Sequence, residues 1–401
     1  MAKIIAHIDL NAFFATCEEL RDPSLADKPV IIGHPGRSGI VSTCNYVARK
    51  YGIHSGQPTF QAVKLCPDAL IVPPDYEYYK VMSNSFFAYI KQYSNIVESA
   101  SVDECFVDFT DALSKIKDPV AYFRDLQFGL FHQTGLKCSI GVAPAKWLAK
   151  MASDMKKPMG LTFLRRRDLK QTLYPLPIES FWGIGKKTAP TLRKMGIDTI
   201  GDLAARCASD DPEIEHLLGK FYSTVKEWVQ GYGSDEVSTE QCDPKSIGNS
   251  ETLMRNIDSL SDALETIDSL SREVSTRAKE ARKMGYTVTL TVKTTDFRLH
   301  SKAFTFSDQP TNDAQVLREK AVEMYRDNYD GMPVRLIGIT LGKLVDPAKD
   351  TVQMSLWNYE EYEERDATKL LIAELNRKLK ADALMRGSQA KSKKGKKDGS
   401  K

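Results

Sequence analysis

Hydrophobic and polar positions alternate along the chain in three successive patterns. From residue 3 to about 165, short β-rich runs such as KIIAHID alternate with amphipathic stretches, which predicts an α/β layer. From about 175 to 233 the pattern indicates short helices separated by glycines. Residues 245–344 follow the order strand, helix, strand, strand, helix, strand. This βαββαβ unit of about 100 residues is long enough to form its own domain.

Individual elements can be placed within these patterns. The first strand, 3–9, is followed by a helix that begins within NAFFATCEEL, and IVESASVDECFVDFT predicts a hairpin with acidic residues at its centre. The polar segment 234–244 predicts an interdomain linker, and 345–401 a connector, a short helix near 359–380 and a basic tail. The other predicted elements are strands within 29–44, 137–143, 285–295, 302–307 and 334–344, and helices at 46–50, 59–65, 76–93, 118–134, 144–156, 258–283 and 312–328.

The composition excludes several classes of protein. The chain is 42% hydrophobic and 27% charged, which lies in the globular range. No stretch approaches the roughly 18 apolar residues of a membrane span, and the N-terminal pattern is not that of a secretory signal. The seven cysteines are scattered without a CxxC pair, so we expect reduced thiols and not zinc ligands or disulfides. A cytoplasmic protein without membrane association is expected.

The net charge of +3 is unevenly distributed. Residues 387–401 carry six lysines and one aspartate, a net +5 that leaves about −2 on residues 1–386. Basic residues cluster in 137–167 (eight against one acid), 182–197 (four against none) and 272–302 (eight against three). Any one cluster is compatible with a solvated helix face, but three together favour contact with a polyanion at several surfaces.

Three acidic residues stand at predicted strand ends. Asp9 closes the first strand, and Asp103 and Glu104 lie at the centre of the hairpin. Carboxylates that converge on one point are typical of two-metal catalysis, in which Mg²⁺ ions about 4 Å apart activate an attacking oxygen and stabilise a leaving one. A lone Asp-Glu pair is usually a surface feature, but here both flanks are β-rich. Asp108 is predicted to lie further along the second strand, outside this cluster.

Four motifs carry a resemblance to a known family. HIDLNAFFA, STCNYVARKYGI, SVDECFVDF and SIGVAPAKWLAKMASDMKKPMG resemble, in order and spacing, the palm and finger motifs of Y-family translesion DNA polymerases of the bacterial DNA polymerase IV type. They cover most of residues 1–165, and the layout resembles the family through residue 345. The resemblance implies a low-fidelity, template-directed enzyme that transfers nucleotidyl groups from dNTPs to a primer 3′-hydroxyl.

The same resemblance implies an α+β multidomain fold, the right-hand polymerase. Its parts would be a ferredoxin-like palm, small fingers, a helical thumb with a helix-hairpin-helix, and a βαββαβ little finger. The implied boundaries are 1–18 and 75–165 for the palm, 19–74 for the fingers, 166–233 for the thumb, 234–244 for the linker, 245–345 for the little finger, and 346–401 for a clamp-binding peptide, a short helix and a basic disordered tail.

Catalytic residues follow from the resemblance position by position. Asp9 and Asp103 are expected to bridge two Mg²⁺ ions, with Mn²⁺ as an alternative metal. Glu104 would hold the ion that activates the primer hydroxyl, and the Leu10 backbone carbonyl would complete the nucleotide metal. Asn11 stands where many relatives carry a second acid, a position that is not a primary ligand in the family.

The resemblance also implies a nucleotide pocket. Phe14 lies at the position of the aromatic steric gate that excludes a 2′-hydroxyl, whereas Phe13 is equally consistent with core and pocket. Tyr46 and Arg49, three residues apart on one predicted helix face, can bring a hydroxyl and a guanidinium to one phosphate. The remaining nucleotide-binding residues are Ser42, a small residue above the nascent base pair, Thr43 and Lys157.

Two regions are predicted to bind DNA. FWGIGKKTAPTLRKMGI (181–197) resembles a helix-hairpin-helix, in which Gly183 and Gly185 permit a tight turn. The helix that follows would present backbone amides to a DNA phosphate. The charged residues expected to contact DNA are Lys186 and Lys187 in this motif, and Lys293, Arg298, Lys302 and Arg335 on or beside strands of the βαββαβ domain, whose register the sequence leaves open.

QMSLW (353–357) resembles the bacterial sliding-clamp motif, with Gln353, Leu356 and Trp357 as anchors. The expected partners are primer–template DNA, dNTP and the bacterial β clamp, and the expected state is a monomer. Three alternatives remain: an enzyme like the polymerase V catalytic subunit, a nucleotidyl cyclase with a similar acidic palm, and a non-catalytic DNA-binding scaffold recruited to the clamp. Residues 175–357 argue against the cyclase, and the acidic cluster argues against the scaffold.

Overall fold

A computed structural model of the chain describes residues 3–36, 38–240, 243–307 and 309–347. The chain divides into two compact units, Met1–Asp243 and Pro244–Lys401. Within the described ranges, no helix combines the length and the apolar composition that crossing a membrane requires. The predicted clamp peptide, with Gln353, Leu356 and Trp357, and the basic tail lie outside the described residues.

The first unit contains eight strands and twelve helices among its described residues. The strands are β1 (Ile5–Leu10), β2 (Val30–Gly33), β3 (Val41–Cys44), β4 (Leu70–Val72), β5 (Val97–Ser99), β6 (Glu104–Asp108), β7 (Cys138–Ala143) and β8 (Leu161–Phe163). The helices are α1 (Phe13–Arg21), α2 (Tyr46–Arg49), α3 (Thr59–Leu65), α4 (Tyr76–Ile90), α5 (Thr110–Leu113), α6 (Pro119–Thr134), α7 (Lys146–Met155), α8 (Leu169–Thr172), α9 (Ala189–Lys194), α10 (Ile200–Ala208), α11 (Pro212–Leu218) and α12 (Tyr222–Trp228).

A five-stranded sheet with the order β5-β6-β1-β7-β8 forms the centre of this unit. β1 is buried along its whole length because it pairs antiparallel with β6 on one side and β7 on the other. Its residues alternate between two faces. Ile8 packs in a core with Phe86 of α4 and Leu126 of α6, whereas His7 contacts Ser153 of α7. Asp9, two residues after His7, therefore lies on the α7 face.

A second, smaller sheet has the order β3-β2-β4 and a core of its own around Ile31 and Ile53. Strands β2 and β3 were predicted from the sequence. Two others were not: β4, which pairs parallel with β2, and β8, which pairs parallel with β7. Each missed strand has three residues, too few for a period-two pattern to emerge. Their formation depends on pairing with a strand that is distant in sequence.

The short helices after residue 166 pack against α7 through a column of indole rings. Trp147 of α7 stacks on Trp228 of α12, with centroids 5.5 Å apart and planes 3° from parallel, and Trp182 stacks on the other face of Trp228 at 5.2 Å. The Trp147 indole N–H donates to the Tyr232 carbonyl at 2.6 Å. Trp147 is buried and Trp228 is partly buried in the core between α7 and these helices, whereas Trp182 covers the stack from the exposed side.

The predicted linker 234–244 differs from a free connector. Val237 is buried in the core that includes Trp147, and the Ser238 backbone N–H donates to the Glu98 carboxylate at 2.8 Å. The Ser234 carbonyl accepts from the Lys146 backbone N–H. The described part of this segment therefore packs against the first unit, and the division between the units comes later, at Asp243 and Pro244.

The second unit is the predicted βαββαβ domain. Its elements are β9 (Ser246–Ile257), α13 (Leu260–Glu280), β10 (Met284–Thr294), β11 (Leu299–Thr305), α14 (Ala314–Asn328) and β12 (Val334–Val345). The strands form an antiparallel sheet with the order β11-β10-β12-β9. One face packs against α13 and α14 through residues such as Leu290, Ile339 and Val274. No helix of the described residues packs on the other face, hereafter the open face.

Candidate active site and nucleic-acid surfaces

The acidic cluster is built by strand pairing. Asp9 of β1 and Glu104 of β6 are directly opposite each other in the antiparallel register, so their side chains project to the same face about 5 Å apart at Cβ. The Leu10 backbone N–H donates to the Asp103 carbonyl at 2.9 Å, which fixes the loop before β6 against the end of β1. Asp108, at the far end of β6, pairs with Lys3 and lies outside the cluster, as predicted.

Two lysines neutralise the opposed carboxylates. Lys150 Nζ of α7 lies 3.2 Å from Asp9 Oδ2 and 2.6 Å from Glu104 Oε1. Lys157 Nζ lies 2.9 Å from Asp9 Oδ2. Burial and the neighbouring Glu104 raise the pKa of Asp9 to about 7, although both ammonium groups oppose the shift. Burial would also raise the pKa of Glu104, but contacts with His7, Asp9 and Lys150 outweigh it and hold that pKa below its usual range.

The buried side chain of His7, on β1, lies beside that of Glu104 on the neighbouring strand β6. Its Nδ1 is 2.8 Å from Ser153 Oγ, whose hydroxyl is also 2.8 Å from the Lys150 carbonyl. Its Nε2 lies 3.6 Å from Glu104 Oε2 and has no hydrogen-bond partner within the described ranges. Burial lowers the pKa of the imidazole, which favours the neutral ring. His7 and Lys150 were both missed by sequence analysis.

Asp103 completes the predicted triad at the same pocket, but its side chain contacts a different group. Its Oδ1 accepts from Ser101 Oγ at 2.5 Å. No three acidic, histidine or cysteine side chains meet as a ready metal centre anywhere in the described ranges. The donor chemistry nevertheless fits a hard divalent cation, because Asp9, Asp103 and Glu104 offer carboxylate oxygens around one pocket.

The start of α1 brings backbone amides to this pocket. Ala12 adopts the left-handed conformation (φ 47°, ψ 47°), at a cost of about 1–2 kcal/mol for a residue with a Cβ, and no side chain caps the helix. Ala12, Phe13 and Phe14 all line the pocket. Uncapped amides at a helix start attract an anion, so this strained turn is consistent with a phosphate site.

Asn11 has a structural role. Its Nδ2 donates to Ser139 Oγ at 3.0 Å, and its Oδ1 accepts from the Met159 backbone N–H at 2.8 Å. An amide can donate and accept in this way at once. Asn11 thus ties the end of β1 to the loop that carries Lys157, and it is almost fully buried.

Phe14 lies face to face on another ring. Its centroid is 4.4 Å from that of Tyr79 of α4, with planes 13° apart, and Tyr76 meets it edge-on at 6.0 Å. Tyr79 is held by a 2.7 Å hydrogen bond from its hydroxyl to Glu18. Phe13, by contrast, is 3% exposed and belongs mainly to the apolar core. Tyr79 supports the ring of Phe14 from 65 residues away in sequence, and no sequence signal identified it.

The opposite wall of the pocket comes from β3 and α2. Ser42, Thr43, Tyr46 and Arg49 all line it, together with Ser55, which was not predicted. The Tyr46 hydroxyl is buried and has no hydrogen-bond partner among the described residues. The Arg49 guanidinium lies 4.8 Å from the Tyr46 ring centroid. The pocket of about 250 Å³ thus holds acids at one side and an unsatisfied hydroxyl and a cation at the other.

The helix-hairpin-helix segment forms a glycine turn followed by a short helix. Gly183 has φ +95°, and an added Cβ would lie 2.5 Å from the Phe221 ring, so a side chain there would be strained. Helix α9 begins at Ala189, and its amide donates to the Gly185 carbonyl. Lys186 and Lys187 are exposed, and neither forms an ion pair with the described acids. The segment can therefore offer positive charge to solvent.

The second unit does not gather its predicted DNA-binding cations on one face. Lys293 of β10 lies on the open face with Thr291, in a groove lined mainly by serine, threonine and glycine. Lys302 is on the edge strand β11, opposite the buried Leu290, and therefore projects to the helix side. Lys302 therefore lies beside a central strand, and the register, which the sequence left open, places it on the face opposite to Lys293.

The other two cations are near the β10–β11 turn. Arg298 is exposed and pairs with Asp296 at 3.1 Å, and the Arg335 guanidinium lies 5.0 Å from the centroid of the exposed Phe297 ring. A cation that the prediction missed, Arg277 of α13, reaches the groove of the open face and donates to the Gly248 carbonyl at 3.0 Å.

Known proteins resemble the chain throughout. Family models match at residues 8–154 (impB/mucB/samB family), 166–197 (IMS family HHH motif) and 244–356 (impB/mucB/samB family C-terminal domain). A protein named DNA polymerase IV from Bacillus velezensis is 36% identical over 394 residues, covering 97% of this chain and 94% of that protein.

Solved structures agree with this likeness. A Y-family DNA polymerase chimera of Dbh and Dpo4 superposes with a TM-score of 0.75 at 26% identity, covering 85% of this chain and 99% of that one. A structure described as an insertion ternary complex of Dbh DNA polymerase covers 85% of this chain and 99% of that one, at 26% identity and a TM-score of 0.60.

Proposed function

The chain belongs to the impB/mucB/samB family, which includes the Y-family DNA polymerases, and on this premise we propose how its pocket at the end of β1 works. It is a DNA-directed DNA polymerase of the low-fidelity, translesion kind, with the right-hand polymerase fold. It binds DNA and dNTP and uses divalent metal, as its family does.

The observation that carries the proposed site is the arrangement of charge around one pocket. Asp9, Asp103 and Glu104 line one side, while Tyr46 and Arg49 line the other. A triphosphate fits between them, because its oxygens can contact metal held by the acids and hydrogen-bond donors on the opposite wall at the same time. We propose Mg²⁺ as the metal, two ions per site, with Mn²⁺ as an alternative.

The chain's own residues would bind and orient the substrates. Asp9, Asp103 and Glu104, with the Leu10 carbonyl, would hold the metal, which supplies charge neutralisation and activation of the primer 3′-hydroxyl. The unsatisfied Tyr46 hydroxyl would donate to a phosphate oxygen. The remaining proposed nucleotide contacts are Arg49, Lys157, the amides of Phe13 and Phe14, and Ser42 and Thr43.

Phe14 is proposed as the sugar gate. Its ring is stacked on Tyr79, which is itself fixed by Glu18, so the ring cannot easily move away from an added hydroxyl. A rigid aromatic face at the deoxyribose would exclude a ribose by steric clash alone. Phe13 contributes to this pocket mainly by packing behind the turn.

The domain assignment stays a proposal with the boundaries predicted above. Palm (1–18 and 75–165), fingers (19–74) and thumb (166–233) would form the first unit, and the little finger (245–345) the second. For the DNA-binding surfaces we propose Gly183, Gly185, Lys186 and Lys187 in the thumb, and Lys293, Arg298 and Arg335 in the little finger. Lys302 is a weaker candidate for DNA binding, because the strand register places its side chain on the helix side of the sheet.

The oligomeric state, the cellular location and the protein partner are also proposed. We propose a monomer that acts in the cytoplasm and binds the bacterial β clamp through Gln353, Leu356 and Trp357 in QMSLW. Deleting 353–357 is expected to abolish stimulation by the clamp and leave synthesis without the clamp intact. Equal stimulation of the deletion variant would contradict the assignment.

Primer extension tests the proposed site. Wild-type protein with dNTP and Mg²⁺ is expected to extend a primer, whereas Asp103→Ala should lose about a thousandfold or more of the rate. Asp108→Ala is the matched control, since Asp108 is an acid at the far end of β6, the strand that follows Asp103, and pairs with Lys3 outside the pocket. Similar rates for Asp103→Ala and wild type would reject the site. Wild-type protein that binds the DNA but does not extend the primer would favour the scaffold alternative.

A further inference from the structure

Lys150 contacts both members of the opposed carboxylate pair. Its Nζ is 3.2 Å from Asp9 Oδ2 and 2.6 Å from Glu104 Oε1, and Asp154 Oδ2 lies 3.6 Å away. Its side chain is 15% exposed. Lys157 contacts Asp9 and Asp154 but forms no ion pair with Glu104 within the described part of the chain. Lys150 is therefore the cation that joins β1 and β6 through their acids.

When both acids are ionised, electrostatics favour such a cation. Like charges directly opposite each other on neighbouring strands repel, and the repulsion grows when one of them, Asp9, is 5% exposed. An unpaired buried carboxylate is strongly destabilising, and removing its partner leaves that cost uncompensated. A divalent cation would use the same carboxylate oxygens that accept from Lys150.

We propose that Lys150 is the resident counter-ion of the Asp9–Glu104 pair, which holds both carboxylates in place in the metal-free protein and competes with a divalent metal for them. This inference deepens the metal site of the proposed function and rests on it. Lys150 is a positioning residue in this scheme, because it acts on the acids and is not among the residues that line the pocket.

Lys146 provides a matched control on the same helix. It lies one turn earlier on α7, its side chain is 21% exposed, and its Nζ contacts both oxygens of Glu98 at 2.8–2.9 Å. Glu98 is not among the acids at the pocket. Replacing Lys146 therefore breaks a comparable ion pair without changing charge at the Asp9–Glu104 pair.

Thermal unfolding of Lys150→Met, Lys146→Met and wild-type protein, each in EDTA and in saturating MgCl₂, tests the proposal. In EDTA both variants should unfold at lower temperature than wild type. Mg²⁺ should close at least half of the deficit of Lys150→Met, since the metal replaces the lost charge, and leave that of Lys146→Met unchanged. If Lys150→Met does not fold in EDTA, folding on addition of Mg²⁺ is the corresponding result. An equal deficit in both buffers would overturn the proposal.

Direct metal binding gives a second, independent measurement. Lys150→Gln should bind Mn²⁺, followed by electron paramagnetic resonance without DNA or dNTP, at least about threefold more tightly than wild type, because a competing unit charge a few ångström from the site is gone. Unchanged or weaker binding would refute competition. Neither measurement uses polymerase activity, so a wild-type protein that fails primer extension would remove the proposed function while leaving this result readable.

Discussion

In the pocket at the end of β1 the charged side chains are partly buried and contact opposite charges, whereas the open face of the four-stranded sheet carries mostly small, uncharged side chains. Asp9, Glu104, Lys150 and Lys157 form one connected network in the pocket. The groove of the open face is lined by serine, threonine and glycine, with Lys293 and Arg277 as its cations.

The difference separates two ways of contacting a polyanion. In the pocket, each carboxylate or cation has a fixed position, so a single substitution changes the chemistry that the site can support. On the open face, small residues let a nucleic-acid backbone approach and no single side chain dominates, so binding is spread over many weak contacts. Single substitutions should therefore have large effects in the first region and small effects in the second.

The same contrast reinterprets the basic cluster at 137–167. Sequence analysis treated its eight cations as part of a surface for a polyanion. Three of them, Lys146, Lys150 and Lys157, instead pair with acids of the same unit. A local excess of lysine thus does not by itself indicate a free basic surface.

After the loss of rate expected from Asp103→Ala, the largest expected effect in this comparison is at Phe14. Phe14→Leu should lower discrimination against ribonucleotides on the order of a hundredfold, because a smaller, more mobile side chain no longer fills the space above Tyr79. Single-nucleotide incorporation kinetics with dCTP and CTP would measure it as the ratio of the two kcat/KM values.

Phe13→Leu is the control for this prediction. Phe13 is the neighbouring residue with the same side chain, but it is 3% exposed and packs in the core. We expect it to cost about 1–2 kcal/mol of stability and leave sugar discrimination near the wild-type value. If Phe13→Leu lost discrimination against ribonucleotides and Phe14→Leu did not, Phe13 would be the sugar gate and Phe14 the packing residue.

Much of this pocket could be anticipated because its parts lie on elements with strong local patterns. Asp9 ends an apolar run and Glu104 begins another, so a hairpin beside β1 suffices to bring them together. Lys150 and Tyr79 could not be anticipated in the same way. Their contacts depend on how α7 and α4 pack across the sheet, and a lysine in a helix or a tyrosine in an amphipathic stretch has no sequence pattern that specifies its partner.

The second unit shows the same limit in its register. The order of its strands and helices follows from hydrophobic periodicity, and the structure has all six elements close to their predicted positions. Which lysines share a face depends on the pairing register, because a shift of one residue moves every side chain of a strand to the opposite face. The observed register places Lys293 and Lys302 on opposite faces.

A smaller effect, still specific to the pocket, is expected from pH. The pKa of Asp9 is raised to about 7, so the proton must leave before metal binds, and metal affinity should fall by up to about tenfold per pH unit below pH 7 and level off above it. In the metal-free protein the sign is opposite: because the folded-state pKa exceeds that of the unfolded chain, this carboxyl stabilises the fold at low pH and loses that contribution as pH rises towards 7.

Mn²⁺ binding and thermal unfolding in EDTA, each followed across pH 5.5–8, would measure the two opposed trends. Asp9→Asn should remove the part of the pH dependence of the metal-free stability that Asp9 contributes, since an amide does not titrate in this range. A metal affinity that stays constant from pH 5.5 to 8 would mean that Asp9 is already ionised, and would weaken the view of the pocket as a tightly coupled charge network.

The smallest effects are expected on the open face, where Lys293 and Lys302 form a natural pair for comparison. Lys293→Ala should weaken binding to primer–template DNA only about two- to fivefold at moderate salt and reduce the slope of log affinity against log salt by about 0.9, as expected for the loss of one phosphate contact. Lys302→Ala should change neither quantity, because Lys302 projects to the helix side of the sheet. Fluorescence anisotropy across a salt series would measure both variants. A loss of a hundredfold or more at Lys293 would mean that this face also depends on one fixed charge, and equal effects at the two lysines would mean that DNA contacts the edge strand β11 as well as the open face.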